Sequence, residues 1–253
     1  MFAIYKKELR SYFINPVGYV YVGVFLTVAA LLCCYTTILS NSYDVGNYFM
    51  YMMFGLIILI PILTMRLFSE ERKLRTEQLL LTSPVTLTGM VLGKFFAALT
   101  LYAATLLVSC VNFLPLYDIA NKESSATAAS NQGTLVTRIG PVTGELVGCL
   151  VSLLLIGAAF IAVGTFISAL TENQLAAAVI TIAVIGAMVG VGLLNSFIDV
   201  YWIRTVLSWV SVFSRFGNFT NGLFDFAAIL YYVSLAFVFL FLTVRVYDKR
   251  RWS

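Results

Sequence analysis

Long apolar runs separated by short polar segments set the rhythm of this chain. Six stretches, at about 17–39, 48–65, 95–116, 146–170, 175–197 and 223–244, are almost wholly apolar. A helix that crosses a bilayer needs roughly 20 such residues, so the pattern predicts six transmembrane helices. Runs such as Phe54-Gly55-Leu56-Ile57-Ile58-Leu59-Ile60 are continuous, whereas the strands of a membrane barrel alternate over about ten residues. The expected fold is an all-α polytopic membrane protein with one domain, 1–253, because the remaining pieces are too short for a soluble unit. The stretch 17–39 exceeds the h-region of a signal peptide and is read as a retained span.

The segments between the spans carry patterns of their own. In residues 1–15, Phe2, Tyr5, Leu9 and Tyr12 recur at helical steps, while Lys6, Lys7 and Arg10 lie off that stripe. This predicts an N-terminal interfacial helix with its cations near anionic headgroups, ended by Pro16. The competing reading is a positive flank that only sets topology. Segment 117–141 is rich in Ala, Ser, Thr and Asn and reads as an external loop. In segment 198–222, Trp202, Val206, Trp209, Phe213 and Phe216 fall on one helical face. Aromatics favour the membrane–water boundary, which predicts an outer amphipathic or re-entrant helix before the last span. Pro61 should bend the second span, and Thr171-Glu172-Asn173-Gln174 reads as a tight turn between spans four and five.

Charge gives the chain an orientation. Of sixteen Lys and Arg residues, twelve fall on one side of a six-span arrangement and only Lys122, Arg138, Arg204 and Arg215 on the other. The positive-inside rule then places both termini and the loop 66–90 in the cytoplasm. The net charge of +4 follows from this topology and is no nucleic-acid footprint.

Residues able to do chemistry are scarce. The chain has no histidine, which removes His-based triads and the H-E-x-x-H metal site. Gly93-Lys94 resembles a phosphate loop only briefly, since Gly89 lies one residue too close and Phe95 follows the lysine. No catalytic, cofactor-binding or metal-binding residue is predicted. Cys33, Cys34, Cys110 and Cys149 all lie in predicted spans and act as small apolar residues. The span centres are free of charge, which argues against a proton relay and a secondary transporter. Lys94 is expected to snorkel from a span end.

Two further features stand out. Seven of the charged residues fall between Arg66 and Glu77, where Glu70-Glu71-Arg72-Lys73-Leu74-Arg75-Thr76-Glu77 runs into Gln78-Leu79-Leu80-Leu81-Thr82-Ser83-Pro84. Such a block, outside the bilayer, is either a contact for a soluble partner or a solvated loop. In the fifth span, Gly186 and Gly190 form a G-x-x-x-G step that allows close helix approach, within the monomer or at a subunit interface. Gly144 and Gly148 repeat the spacing more weakly.

Glu70-Glu71-Arg72, then 76–85, then Gly93-Lys94-Phe95 resemble the first cytoplasmic loop of ABC-2 type transporter permeases. The start, Tyr5-Lys6-Lys7-Glu8-Leu9, and the turn 167–174 are similar to the same family. Gly222, Asp225, Tyr231-Tyr232, Ser234 and the ending Arg250-Arg251-Trp252 resemble its gliding-motility-type branch. Relatives often carry Gly-Thr where this chain has Arg75-Thr76. The resemblance implies a non-catalytic permease subunit of an exporter, driven by two copies of a separate cytoplasmic ABC ATPase that binds ATP and Mg. It also implies a second permease subunit, identical or related, and leaves room for an extracytoplasmic accessory protein. In this reading a cytoplasmic coupling helix near 74–81 seats Leu79 and Leu80 in the ATPase, with Arg72, Arg75 and Glu77 at the rim and Glu70 and Glu71 beside them. Gly186 and Gly190 are the candidate dimer contact. The alternatives are a membrane anchor or scaffold for a cytoplasmic partner, a membrane-embedded enzyme, or a secondary transporter. The cargo is not readable from these residues.

Overall fold

The computed structural model describes residues 2–39, 45–74, 86–120, 122, 143–195, 202, 211–220 and 225–252. Its described elements are helical: α1 (Phe2–Ile14), α2 (Pro16–Cys33), α3 (Val45–Thr64), α4 (Ser69–Lys73), α5 (Leu87–Ser109), α6 (Thr143–Leu170), α7 (Gln174–Leu194), α8 (Val212–Thr220) and α9 (Phe226–Trp252). Among the described residues, six stretches are long and apolar enough to cross a bilayer: Pro16–Thr37, Val45–Lys73, Leu87–Ala120, Thr143–Leu170, Gln174–Leu193 and Phe226–Arg251. The chain is an all-α, multi-pass membrane protein. An even number of crossings gathers α1, α4, the α6–α7 turn and the end of α9 at one end of the bundle, here termed the basic end.

Apolarity alone does not sort the spans, since a helix facing lipid is apolar all round as well. Packing does: 61% of the most apolar window of α6 is buried, against 22% for α9, and α6 is central, packed against α3, α5, α7, α8 and α9. Glycines permit its closest approaches. At Gly157 the missing Cβ leaves room for the Tyr102 ring, and at Gly164 for the Thr64 side chain. The Tyr102 hydroxyl donates to the Leu153 carbonyl at 2.7 Å, so the ring is both wedged and tethered.

Several boundaries differ from those expected. The third span begins at Leu87, not near 95, because Thr86 caps it, its hydroxyl accepting from Gly89 N at 3.3 Å. The stretch Leu87–Ala120 has 34 residues and at 1.5 Å per residue is about 51 Å long, against a hydrocarbon core of about 30 Å. Its far part turns through a 3₁₀ segment, Cys110–Phe113, and stays helical to 120. The expected external loop therefore starts as helix, and 123–141 lie outside the described residues. In the first span, α2 passes into a π-helical turn, Cys34–Ile38.

At the end opposite the basic one, α8 wedges among α3, α6 and α7. Phe216 and Phe219 are buried, Phe213 lies 5.9 Å from Phe54 in the middle of α3, and Tyr232 donates to the Val212 carbonyl at 3.0 Å. The aromatic face of this segment thus points into the bundle at Phe216. Trp202 is exposed, and Val206 and Trp209 lie outside the described residues.

Gly157→Ala should cost about 2 kcal/mol through overpacking against the tethered Tyr102, read as a lower unfolding midpoint in detergent. Tyr102→Phe combined with Gly157→Ala should not restore it, because the ring still fills the space.

Candidate functional site

At the basic end, α3 stops at Thr64 and a four-residue turn leads into α4. The helical ladder would run from Phe68 N and Ser69 N to the Thr64 and Met65 carbonyls. Instead both amides donate to the Ser168 hydroxyl on α6, at 3.1 and 3.2 Å. Ser168 in turn donates to the Met65 carbonyl at 3.4 Å, which also accepts from the Ser69 hydroxyl. One side chain from another helix thereby replaces two rungs, so the break is satisfied rather than frayed.

The Leu67 carbonyl freed by this break meets a buried cation. Lys94 on α5 is 1% exposed, and its ammonium lies 2.6 Å from that carbonyl, 3.0 Å from Glu8 Oε1 on α1 and 2.9 Å from Glu71 Oε1 on α4. An ammonium has three donors, and here three acceptors from three elements surround it. The Phe68 ring lies 5.0 Å from the nitrogen and adds a cation–π contact. The expectation that Lys94 snorkels is therefore corrected. Its position two turns into α5 aims it at Glu8 and Glu71, and pairing there removes the need to reach water. The site lies at the basic end and not at mid-bundle, so it forms no relay across the span centres.

Further ion pairs hold α4 from the remaining sides. Lys7 on α1 stands 3.8 Å from Glu71. Arg66 grips Glu70 through two hydrogen bonds of 2.7 Å, the bidentate geometry that gives strength and direction. Arg72 donates to the Leu170 carbonyl at 2.8 Å and pairs with Glu172 at 2.9 Å, which ties α4 to the α6–α7 turn. That turn is the tight one expected, closed by Asn173, whose side chain accepts from Leu175 N at 3.0 Å.

The interior face of α1 carries Tyr12, which is buried and donates to the Leu63 carbonyl at 3.3 Å. Burial, reinforced by the Glu8 carboxylate, pushes the Tyr12 phenol above its ordinary range, so it remains a donor. A cavity of about 30 Å³ separates Glu8, Tyr12 and Asn15 from Arg66 and Glu70, so α1 meets the break partly through polar groups. Lys6, Lys7 and Arg10 are exposed on α1, with Lys7 at the edge that meets Glu71.

The structure therefore brings together Glu70, Glu71, Arg72 and Lys7 from the predicted residues, and adds Glu8, Lys94, Arg66, Ser168 and Glu172. Arg72, expected at a partner's rim, is engaged within the chain. Lys73 and Leu74 are exposed, and Arg75, Glu77, Leu79 and Leu80 lie outside the described residues. The missed residues had a faint signal. Glu8 falls on the apolar stripe of α1 between Tyr5 and Tyr12, and Lys94 falls among apolar residues, two misplaced charges of opposite sign.

Among the described residues, the glycine step on α7 is not a close approach within the chain. A Cβ on Gly190 would meet nothing within 4 Å, and one on Gly186 only Ile57 Cγ2 at 3.9 Å. Among the described residues no group of three or more His, Cys, Asp or Glu is placed to hold a metal ion.

Two comparisons bear on this arrangement. Residues 19–247 match the family model described as ABC-2 family transporter protein. No curated protein matches the sequence.

Lys94→Met should lower the unfolding midpoint by stranding two carboxylates. The loss should be about 2–3 kcal/mol, below the roughly 3–5 of a wholly buried pair because Glu8 and Glu71 side chains keep 14% and 18% exposure. Adding Glu8→Gln and Glu71→Gln should recover most of it, since no buried charge then remains and Lys7 is exposed.

Proposed function

This chain belongs to the ABC-2 family of transporter proteins, and we propose that it is the permease subunit of an ATP-driven exporter of the gliding-motility-type branch. ATP and Mg would be bound by a separate cytoplasmic ABC ATPase in two copies, and this chain would supply the membrane path. The basic end then faces the cytoplasm of a bacterial inner membrane, with both termini on that side, as the positive-inside bias favours.

The observation that carries this reading is the grip on α4. Ion pairs and hydrogen bonds fix α4 to α1, α5 and α6, directly before the segment 75–85 that resembles the family's coupling loop. A partner's push is useful only if it enters a rigid element. Leu74, exposed at 65%, begins the leucine-rich run that would seat in the ATPase. With Arg72 engaged inside the chain, Arg75 and Glu77 are the rim contacts.

A second permease subunit completes the complex in this proposal. Gly186 and Gly190 fit such a contact because, among the described residues, a Cβ at Gly190 meets nothing within 4 Å and one at Gly186 touches Ile57 alone, at 3.9 Å.

Purification of the tagged chain in mild detergent, with mass spectrometry of what accompanies it, tests the proposal. A stoichiometric ABC ATPase is expected, and Leu79→Asp with Leu80→Asp should release it while the chain still inserts. Retention of the ATPase by an inserted double variant would refute the coupling assignment. Recovery with no ATPase would favour an anchor or secondary transporter. Gly186→Leu with Gly190→Leu should reduce crosslinking between subunits severalfold without lowering the monomer's unfolding midpoint.

A further inference from the structure

Three separate parts of the chain converge on one nitrogen. Glu8 belongs to the N-terminal helix, Glu71 and Leu67 to the α3–α4 junction, and Lys94 to α5. The pairs Lys94–Glu8 and Lys94–Leu67 span 86 and 27 residues of sequence. Lys7 beside Glu71 brings the local charge of two carboxylates and two ammonium groups to zero. Pulling any one member away leaves a desolvated charge behind, so small separations are penalised steeply.

We propose that Lys94 is a positioning residue that locks α1, α4 and α5 into one body, so that force on α4 reaches the first and third spans together. The first span follows because α1 runs directly into α2 through the single residue Asn15, with Pro16 opening α2, and because Gly18 lets α2 close on the Tyr12 backbone. The third follows because Lys94 is part of α5 itself. Phe68, stacked near Lys94 and 5.1 Å from Tyr247, brings the end of α9 against the same body. Without the lock, α4 would pull on α3 and, through Ser168 and Arg72, on α6 and its turn, and would reach α1 only through the Lys7–Glu71 pair and, by way of α3, the Tyr12 hydroxyl. The proposal rests on the ATPase-driven reading above for the source of the force.

The test is hydrogen–deuterium exchange on the purified complex, in the absence of nucleotide and with ATP, Mg²⁺ and orthovanadate. The variant is Lys94→Met with Glu8→Gln and Glu71→Gln, which removes the lock and leaves only the Lys7 ammonium, on a side chain 66% exposed to solvent. Without nucleotide, its α1 amides should exchange about tenfold faster than wild type while α6 stays unchanged. With nucleotide, α1, α4 and the first turns of α5 should change together in wild type, and α4 should change without α1 in the variant. A merely structural role would not remove the nucleotide response of α1 alone. Wild-type exchange of α1 in the variant, or an α1 response that still follows α4, would overturn the proposal. If no ATPase accompanies the wild-type chain, the functional reading fails, and the nucleotide-free comparison still decides whether the lock exists. Should the triple variant not insert, Glu8→Ala decides instead, since the guanidinium of Lys94→Arg can still pair with the carboxylates. Glu8→Ala removes the acceptor that α1 offers the ammonium, so unaltered α1 exchange there would also overturn the lock.

Discussion

A buried ammonium demands acceptors for all three of its protons, and Lys94 finds them in parts of the chain that are distant in sequence. That requirement fixes more than one contact. The Leu67 carbonyl is free to accept only because the helix breaks after Thr64, and the break is tolerable only because Ser168 takes up two amides. Glu8 reaches the site only because α1 presents it on the same face as Tyr12. The basic end is thus a set of mutually dependent satisfactions, in which each polar group is buried on the condition that another is present.

The rest of the bundle obeys a simpler rule. In lipid the hydrophobic effect gives helices little reason to associate, so close fit and occasional hydrogen bonds hold them. The central helix α6 uses both, taking Tyr102 and Thr64 into glycine notches and contributing Ser168 to the basic end. Its neighbours at the edge, α2, α7 and α9, keep large apolar side chains outward, such as Leu175, Val179 and Phe237. Precision is concentrated in the middle and chemistry at one end.

The six spans were legible because a continuous apolar run of about 20 residues suits a bilayer crossing and little else. The stripe of α1 and the turn at 171–173 were legible for the same reason: local spacing or local polarity specifies them. What escaped was non-local. Lys94 looked like the edge of a span because a charge usually marks one, and nothing near residue 94 announces a partner at residue 8. The close glycine contacts inside the chain were equally hidden. Gly157 and Gly164 on α6, like Gly18 on α2 and Gly192 on α7, each admit a neighbour that no G-x-x-x-G spacing announces. Spacing shows where a helix is narrow and not what comes to fill it.

The Tyr102–Gly157 pair has an implication for how this protein can change over generations. A tyrosine at 102 forbids a side chain at 157, and its hydroxyl takes the Leu153 carbonyl that the bare glycine leaves open. A lineage that enlarges residue 157 must first shrink residue 102, and then fill the hollow and re-house the carbonyl. The two sites, 55 positions apart in the chain, are therefore coupled in order: residue 102 can become smaller alone, whereas residue 157 can grow without strain only after it.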